Sequence, residues 1–188
     1  MNPMRDRLKA GKTVVGTAGS VFEDNMVMLA DSGLDFILFD TQHSPIEPKE
    51  YKRSFDAIKG KSATPIMRVS ANRPELICFA LDLGARGIIV PMVNTKEEAT
   101  AMVRACQYSP LGDRSNAGVR GEWGDFGEAN YREYLDTVNE ELLIIPMIET
   151  QQAIDNIDEI LSVPGIDVLL IGPSDLSIEL NVPLDYPS

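Results

Sequence analysis

A parallel α/β fold, read as a TIM-type (β/α)8 barrel with about six of its eight β/α units present, is what this sequence predicts, on three observations. Continuous apolar runs recur along the chain, segments of helical periodicity separate them, and the fingerprints of nucleotide-binding open sheets are missing. The first two observations fit an open doubly wound sheet as well as a closed barrel. The third favours the barrel, because no G-x-G-x-x-G follows the first run and no G-x-x-x-x-G-K-[ST] occurs anywhere.

The runs are TVVGT (13–17), DFILF (35–39), TPIMRV (64–69), GIIVPMV (87–93), LLIIPMI (142–148) and DVLLIG (167–172). None alternates with polar residues, as expected of parallel strands covered on both faces. Between them, Val21, Met26, Leu29 and Ala30 run at helical spacing up to Gly33. Ala153, Ile154, Ile157, Ile160 and Leu161 do the same before Pro164. Gly33 and Gly84 suit the left-handed residue that closes a helix, and Thr95 with Glu98 has capping-box spacing.

A single domain over residues 1–188 is expected. Eight units normally need about 250 residues, so the barrel is expected to lack two units at its C-terminal side. One connection, YSPLGDRSNAGVRGEWGDFGEANY, is longer than the roughly 12–15 residues of an ordinary loop and reads as a lid or a disordered insertion. It holds Arg114, Arg120 and the lone tryptophan Trp123, for which substrate contact and loop or partner packing both stay open.

Composition narrows the function. The 44% hydrophobic and 24% charged fractions are those of an ordinary globular domain. Seventeen Lys plus Arg against 29 Asp plus Glu give a net charge of −12 with no basic run, which argues against nucleic acid. The apolar runs fall far short of the roughly 18 residues of a membrane span and the start is charged, so a cytoplasmic protein without a membrane partner is expected. Cys78 and Cys106 make no disulfide framework or paired-Cys metal motif and read as buried thiols.

In α/β barrels chemistry gathers at the carboxyl ends of the strands. Polar residues that end apolar runs are therefore the candidates: Asp40 with His43 in the following loop, Arg68, Glu149, and Asp175 just past Gly172, Pro173 and Ser174. Glu149 and Asp175 end consecutive runs, which in a parallel sheet are neighbours about 5 Å apart. Two carboxylates without a second His or a Cys pair make a hard oxygen site suited to Mg²⁺ or Mn²⁺. The competing reading has Glu149 opening a helix beside a Thr150 cap and Asp175 capping a turn.

Arg68 interrupts an apolar strand and needs an anion, which a substrate or an ion pair with Asp40 or Glu149 would supply. His43 is the only histidine, hence the one side chain with an ordinary pKa near neutrality for general-base work. None of the seven lysines lies within an apolar strand, which disfavours imine chemistry.

FDTQHSP, PIMRVS, LDLGARGIIVPMVNT, YSPLGDRS, PMIET and IGPSDLS resemble, in order and spacing and over nearly the whole chain, the HpcH/HpaI aldolase family. The resemblance implies a class II pyruvate aldolase that reversibly cleaves a 4-hydroxy-2-oxo acid to pyruvate and an aldehyde. It implies that Glu149 and Asp175 bind a divalent metal, Mg²⁺ or Mn²⁺ with Co²⁺ also admitted, which chelates the 2-oxo acid. Arg68 would stabilise the enolate oxygen, His43 would take the C4 hydroxyl proton, and Asp40 would hold a water on the metal. Backbone amides around Gly172, Pro173 and Ser174 would hold the pyruvate carboxylate.

The family's His partner is an aspartate matching Asp82. Here it precedes Gly84 at a helix end that a barrel turns away from the site, so it is expected to act across an interface in a homo-oligomer. Met147 departs from the glutamine that some members carry in the PMIET position. Two alternatives stand beside the aldolase: a citrate-lyase-like acyl-CoA lyase, and a non-catalytic binding or assembly protein.

Overall fold

The computed structural model describes residues 2–118 and 130–183. Trp123 and Arg120 lie outside the described residues, and with them most of the long connection. Six strands form one curled parallel sheet: β1 (Gly16–Ala18), β2 (Phe36–Asp40), β3 (Thr64–Arg68), β4 (Gly87–Val90), β5 (Leu143–Ile148) and β6 (Leu170–Ile171). Their order in space is their order in sequence, and each pairs in parallel with the next. A doubly wound sheet reverses its strand order partway. This sheet does not; it is a curled half-barrel, consistent with part of a TIM-type barrel.

The helices are α1 (Pro3–Lys9), α2 (Glu23–Ala30), α3 (Lys52–Ile58), α4 (Pro74–Leu83), α5 (Lys96–Cys106), α6 (Tyr131–Glu141), α7 (Gln151–Asp155), α8 (Ile157–Leu161) and α9 (Pro173–Glu179). Strand side chains alternate between two apolar layers. Ile37, Phe39, Met67, Ile88, Val90, Ile144 and Ile148 join the layer beneath the helices. Ile66, Ile89, Leu143, Ile145 and Met147 make a second layer on the other face, with Met4 of α1 among them. That two-sided burial is why the runs carry no polar alternation.

The edge strands are shorter than their apolar runs. Among the described residues β1 pairs only with β2, and β6 meets β5 only through Met147 with Leu170 and Ile148 with Ile171, so each has a ladder on one side alone. The periodic stretch from 153 to 161 is broken into α7 and α8 at Asn156, whose side-chain amide donates to Asn94 O at 2.8 Å. Gly84 closes α4 as expected, at φ +114°, whereas Gly33, left-handed at φ +87°, lies beyond the Asp31 cap of α2, in the turn that leads to β2. Thr95 accepts from the Glu98 amide, but the Glu98 carboxylate reaches back to the amide of Asn94.

Cys106 is fully buried, and burial pushes its thiol up to about 12. Cys78 is a correction to the expected buried pair. It is half-buried, because the buried stripe of α4 runs through Ile77, Ala80, Leu81 and Leu83 and leaves position 78 at its edge.

The charged start, which the sequence pattern left without a role, forms α1 and ties strands together at the amino end of the sheet. Asn2 is fully buried; its side chain donates to Arg86 O and Glu141 O, both at 2.9 Å, and accepts from Thr64 Oγ1 at 3.1 Å. Arg5 adds a bond to Leu142 O at 3.0 Å and an ion pair with Asp167 at 2.8 Å. Among the described residues no helix is long and apolar enough to cross a membrane.

Candidate active site

At the carboxyl ends of β3, β5 and β6 lies an open cavity of about 420 Å³. Seven of the nine residues singled out from the sequence line it: His43, Arg68, Glu149, Gly172, Pro173, Ser174 and Asp175. Asp40 stands one contact behind, and Asp82 is elsewhere.

Asp40 ends β2 opposite Arg68 at the end of β3. The guanidinium grips the carboxylate with two parallel bonds, Nε to Oδ1 at 2.7 Å and Nη2 to Oδ2 at 2.6 Å. This is the ion pair left open above, made with Asp40 rather than Glu149, and its fork geometry is one that lysine could not reproduce. Burial tends to raise the Asp40 carboxyl, but the Arg68 bonds and charge and the backbone amides of Gln42 and His43 outweigh it, holding the group below the usual carboxylate range. Arg68 is correspondingly held more basic, first by the Asp40 bond and further by the charges of Glu149 and Asp175. Two bonds fix the ends of these strands in register: Tyr51 donates its hydroxyl to Asp40 O at 3.1 Å, and Thr41 donates its own to Arg68 O at 2.8 Å.

With Nε and Nη2 on Asp40, Arg68 turns Nη1 toward the Sδ of Met147, 3.9 Å away. A thioether is a weak acceptor. Arg68 therefore keeps hydrogen-bonding capacity on the cavity side.

Glu149 follows β5 directly and is only 2% exposed. A carboxylate so buried needs partners. Oε1 accepts from the main-chain N–H of Met92 at 2.8 Å, and no donor among the described residues meets Oε2. Thr150 caps α7 beside it by accepting from the Ala153 amide, so the capping role belongs to Thr150 and leaves Glu149 to the cavity.

Asp175 is reached differently from its sequence-based placement at a strand end. The register ends at Ile148 with Ile171; the residue beside Glu149 just past β6 is Gly172, while Asp175 lies in the first turn of α9 and is exposed. Glycine is required at 172 because a Cβ there would come within 2.6 Å of Glu149 Oε2 and 2.8 Å of its Cβ. The expected donors also shift. The Gly172 amide is already bonded to Ile148 O at 3.0 Å, and Pro173 has no N–H, so the first-turn amides open to a ligand are those of Ser174 and Asp175.

Asp82 sits near the C-terminal end of α4, where the chain turns to enter β4 from the amino side of the sheet. Its carboxylate accepts from Arg114 Nη2 at 3.1 Å. The Arg114 side chain is 1% exposed and stacks on Tyr108 with 4.5 Å to the ring centroid. Arg114 thus packs within its own chain.

Glu149 and Asp175 offer only hard oxygen donors, and both residues line the cavity. Among the described residues no group of three His, Cys, Asp or Glu side chains could hold a metal. A two-carboxylate site fits an ion that retains much of its hydration, such as Mg²⁺, rather than a structural cage.

The HpcH/HpaI aldolase/citrate lyase family model matches residues 22–186. The chain belongs to that family. A 2-keto-3-deoxy-L-rhamnonate aldolase of Escherichia coli K12 is 34% identical over 186 residues, 97% of this chain and 68% of the relative. A hydroxypyruvate/pyruvate aldolase of Roseobacter denitrificans is 35% identical over 182 residues, 96% of this chain and 70% of the relative. The crystal structure of an HpcH/HpaI aldolase from Desulfitobacterium hafniense superposes with a TM-score of 0.88 at 31% identity, covering 96% of this chain and 70% of that one. This chain is accordingly an HpcH/HpaI member of the carbon–carbon bond-cleaving class.

Sequence reasoning missed Met92, which serves Glu149 through its main chain. The positive φ that marks it cannot be read from an apolar run.

Proposed function

We propose that the protein is a divalent-metal-dependent pyruvate aldolase on a TIM-type barrel, reversibly cleaving a 4-hydroxy-2-oxo acid to pyruvate and an aldehyde. The observation that carries this is the convergence of His43, Arg68, Glu149 and Asp175 on one cavity at the carboxyl ends of the strands. The aldolase names of both relatives support the reaction class.

Glu149 and Asp175 are the residues that would hold the ion, Mg²⁺ or Mn²⁺, and when bound it supplies the Lewis acidity that polarises the keto group. Arg68, oriented by Asp40, directs its cavity-side N–H at the oxygen on which enolate charge develops; a preorganised cation there costs no reordering during reaction. The amides of Ser174 and Asp175 receive the substrate carboxylate. His43, exposed at the cavity mouth, takes the C4 hydroxyl proton as the C3–C4 bond breaks. Asp82 joins His43 only from a second copy in a homo-oligomer, since its own chain holds it beside Arg114.

The citrate-lyase-like alternative needs cations for the CoA phosphates. Among the described residues lining the cavity, Arg68 is the one permanent cation, and it is already paired.

The test is pyruvate release from a panel of 4-hydroxy-2-oxo acids, coupled to lactate dehydrogenase, with Mn²⁺, Mg²⁺ or EDTA. Release that needs the metal and disappears in Glu149→Ala supports the proposal. Release that survives EDTA, or is absent across the panel, overturns it.

A further inference from the structure

The turn from β4 to α5 bears on Glu149 in a way that neither its sequence nor its apolar character announces. Met92 lies at φ +55°, one of only two non-glycine residues with positive φ among those described. A residue with a Cβ is uncommon there, so the surroundings must impose the conformation. φ is the rotation about N–Cα and sets the tilt of the peptide carrying the Met92 N–H relative to the rest of the turn. That N–H meets Glu149 Oε1 at 2.8 Å.

The turn is clamped through Asn94. Its side-chain amide donates to Met92 O at 3.1 Å, its side-chain oxygen accepts from the Thr150 hydroxyl, its backbone N–H donates to Glu98 Oε2 at 2.7 Å, and its carbonyl accepts from Asn156 at 2.8 Å. Thr150 is the residue after Glu149, so the Asn94 side chain links the carbonyl of Met92, on the far side of its Cα from the donor N–H, to the strand end that the turn serves. On the opposite side Gly172 leaves just enough room for Oε2.

We propose that the turn Pro91–Asn94 is a positioning device for the Glu149 carboxylate. The left-handed Met92 peptide engages Oε1 and so presents Oε2 as the oxygen for a divalent cation. Met92 and Asn94 are positioning residues that act through Glu149. The inference rests on reading Glu149 as a metal ligand.

The experiment is Mn²⁺ titration, read from the electron paramagnetic resonance of free Mn²⁺. It compares the wild type with Met92→Gly, Met92→Val, Asn94→Ala and Glu149→Gln, each also melted in EDTA. Met92→Gly keeps the N–H and removes the crowding, and is expected to bind within about threefold of wild type. Met92→Val puts a β-branched side chain at positive φ and Asn94→Ala frees the turn; each is expected to weaken Mn²⁺ about tenfold or more, the scale of losses behind metal ligands. Comparable loss in Met92→Gly would overturn the proposal, by making the Met side chain the cause. Wild-type affinity in both Asn94→Ala and Met92→Val, beside a weakened Glu149→Gln, would overturn it while leaving Glu149 as a ligand. Wild-type affinity in Glu149→Gln would remove the ligand reading itself.

Discussion

Glu149 and Asp175 bring the same functional group to the same cavity, and the molecule supports them in opposite ways. Glu149 is buried, follows a six-residue strand paired on both sides, and has one oxygen bonded to a neighbouring turn. Asp175 is exposed in the first turn of a seven-residue helix that follows a two-residue strand at the edge of the sheet. One carboxylate is ordered before any ion arrives; the other keeps rotamer freedom that binding must remove. Preorganisation at this site is therefore concentrated on one of its two acidic residues, and the responses to substitution should be asymmetric.

The largest expected effect is that of Glu149→Ala, which removes the preordered oxygen and should reduce metal-dependent kcat/KM by at least about a hundredfold, the scale of losing a preorganised electrostatic group. Length changes sharpen the contrast. Glu149→Asp should withdraw the carboxylate from the Met92 amide and cost about tenfold or more in Mn²⁺ affinity, whereas Asp175→Glu, on an exposed turn, should cost severalfold at most. Equal losses would break the asymmetry.

Gly172→Ala probes the contact between the two halves. With its Cβ at 2.6 Å from Oε2, the strand or the carboxylate must shift, and overpacking of this kind costs roughly 1–3 kcal/mol. Both the melting temperature and the Mn²⁺ affinity should fall.

The smallest effect is expected from Asp40→Asn, read by acid denaturation. The folded-state pKa of Asp40 is lowered, so its contribution is fully present above the ordinary value of 3.8 and is lost as pH falls through the folded value. Wild type should lose stability below about pH 4 that the variant lacks, by about 1 kcal/mol or less because the pair retains some solvent.

The same contrast explains what could be read in the sequence. Glu149 and Arg68 were legible because a charge that ends or interrupts an apolar run needs a reason to be there. The parallel sheet was legible for the related reason that continuous runs imply burial on both faces. Strand order was not, since six such runs look alike in an open sheet and in a barrel wall; only the pairing of each strand with the next separates them. Nothing in IGPSD says that the Gly172 amide is bonded to Ile148 O, a main-chain pairing that only the fold reveals. Met92 was invisible because its contribution is a peptide group, which every residue except proline carries.

The clasp at the other end of the sheet bears on the timing of folding. Asn2 bonds to Thr64, Arg86 and Glu141, which lie 62, 84 and 139 residues along the chain. Strand pairing runs between successive neighbours and can proceed locally. The clasp cannot form until β3, β4 and α6 stand together, after the loop-closure entropy has been met. Asn2→Ala should therefore speed unfolding and leave the folding rate nearly unchanged, a φ-value near zero. The residues that come first in the sequence are the last to be secured.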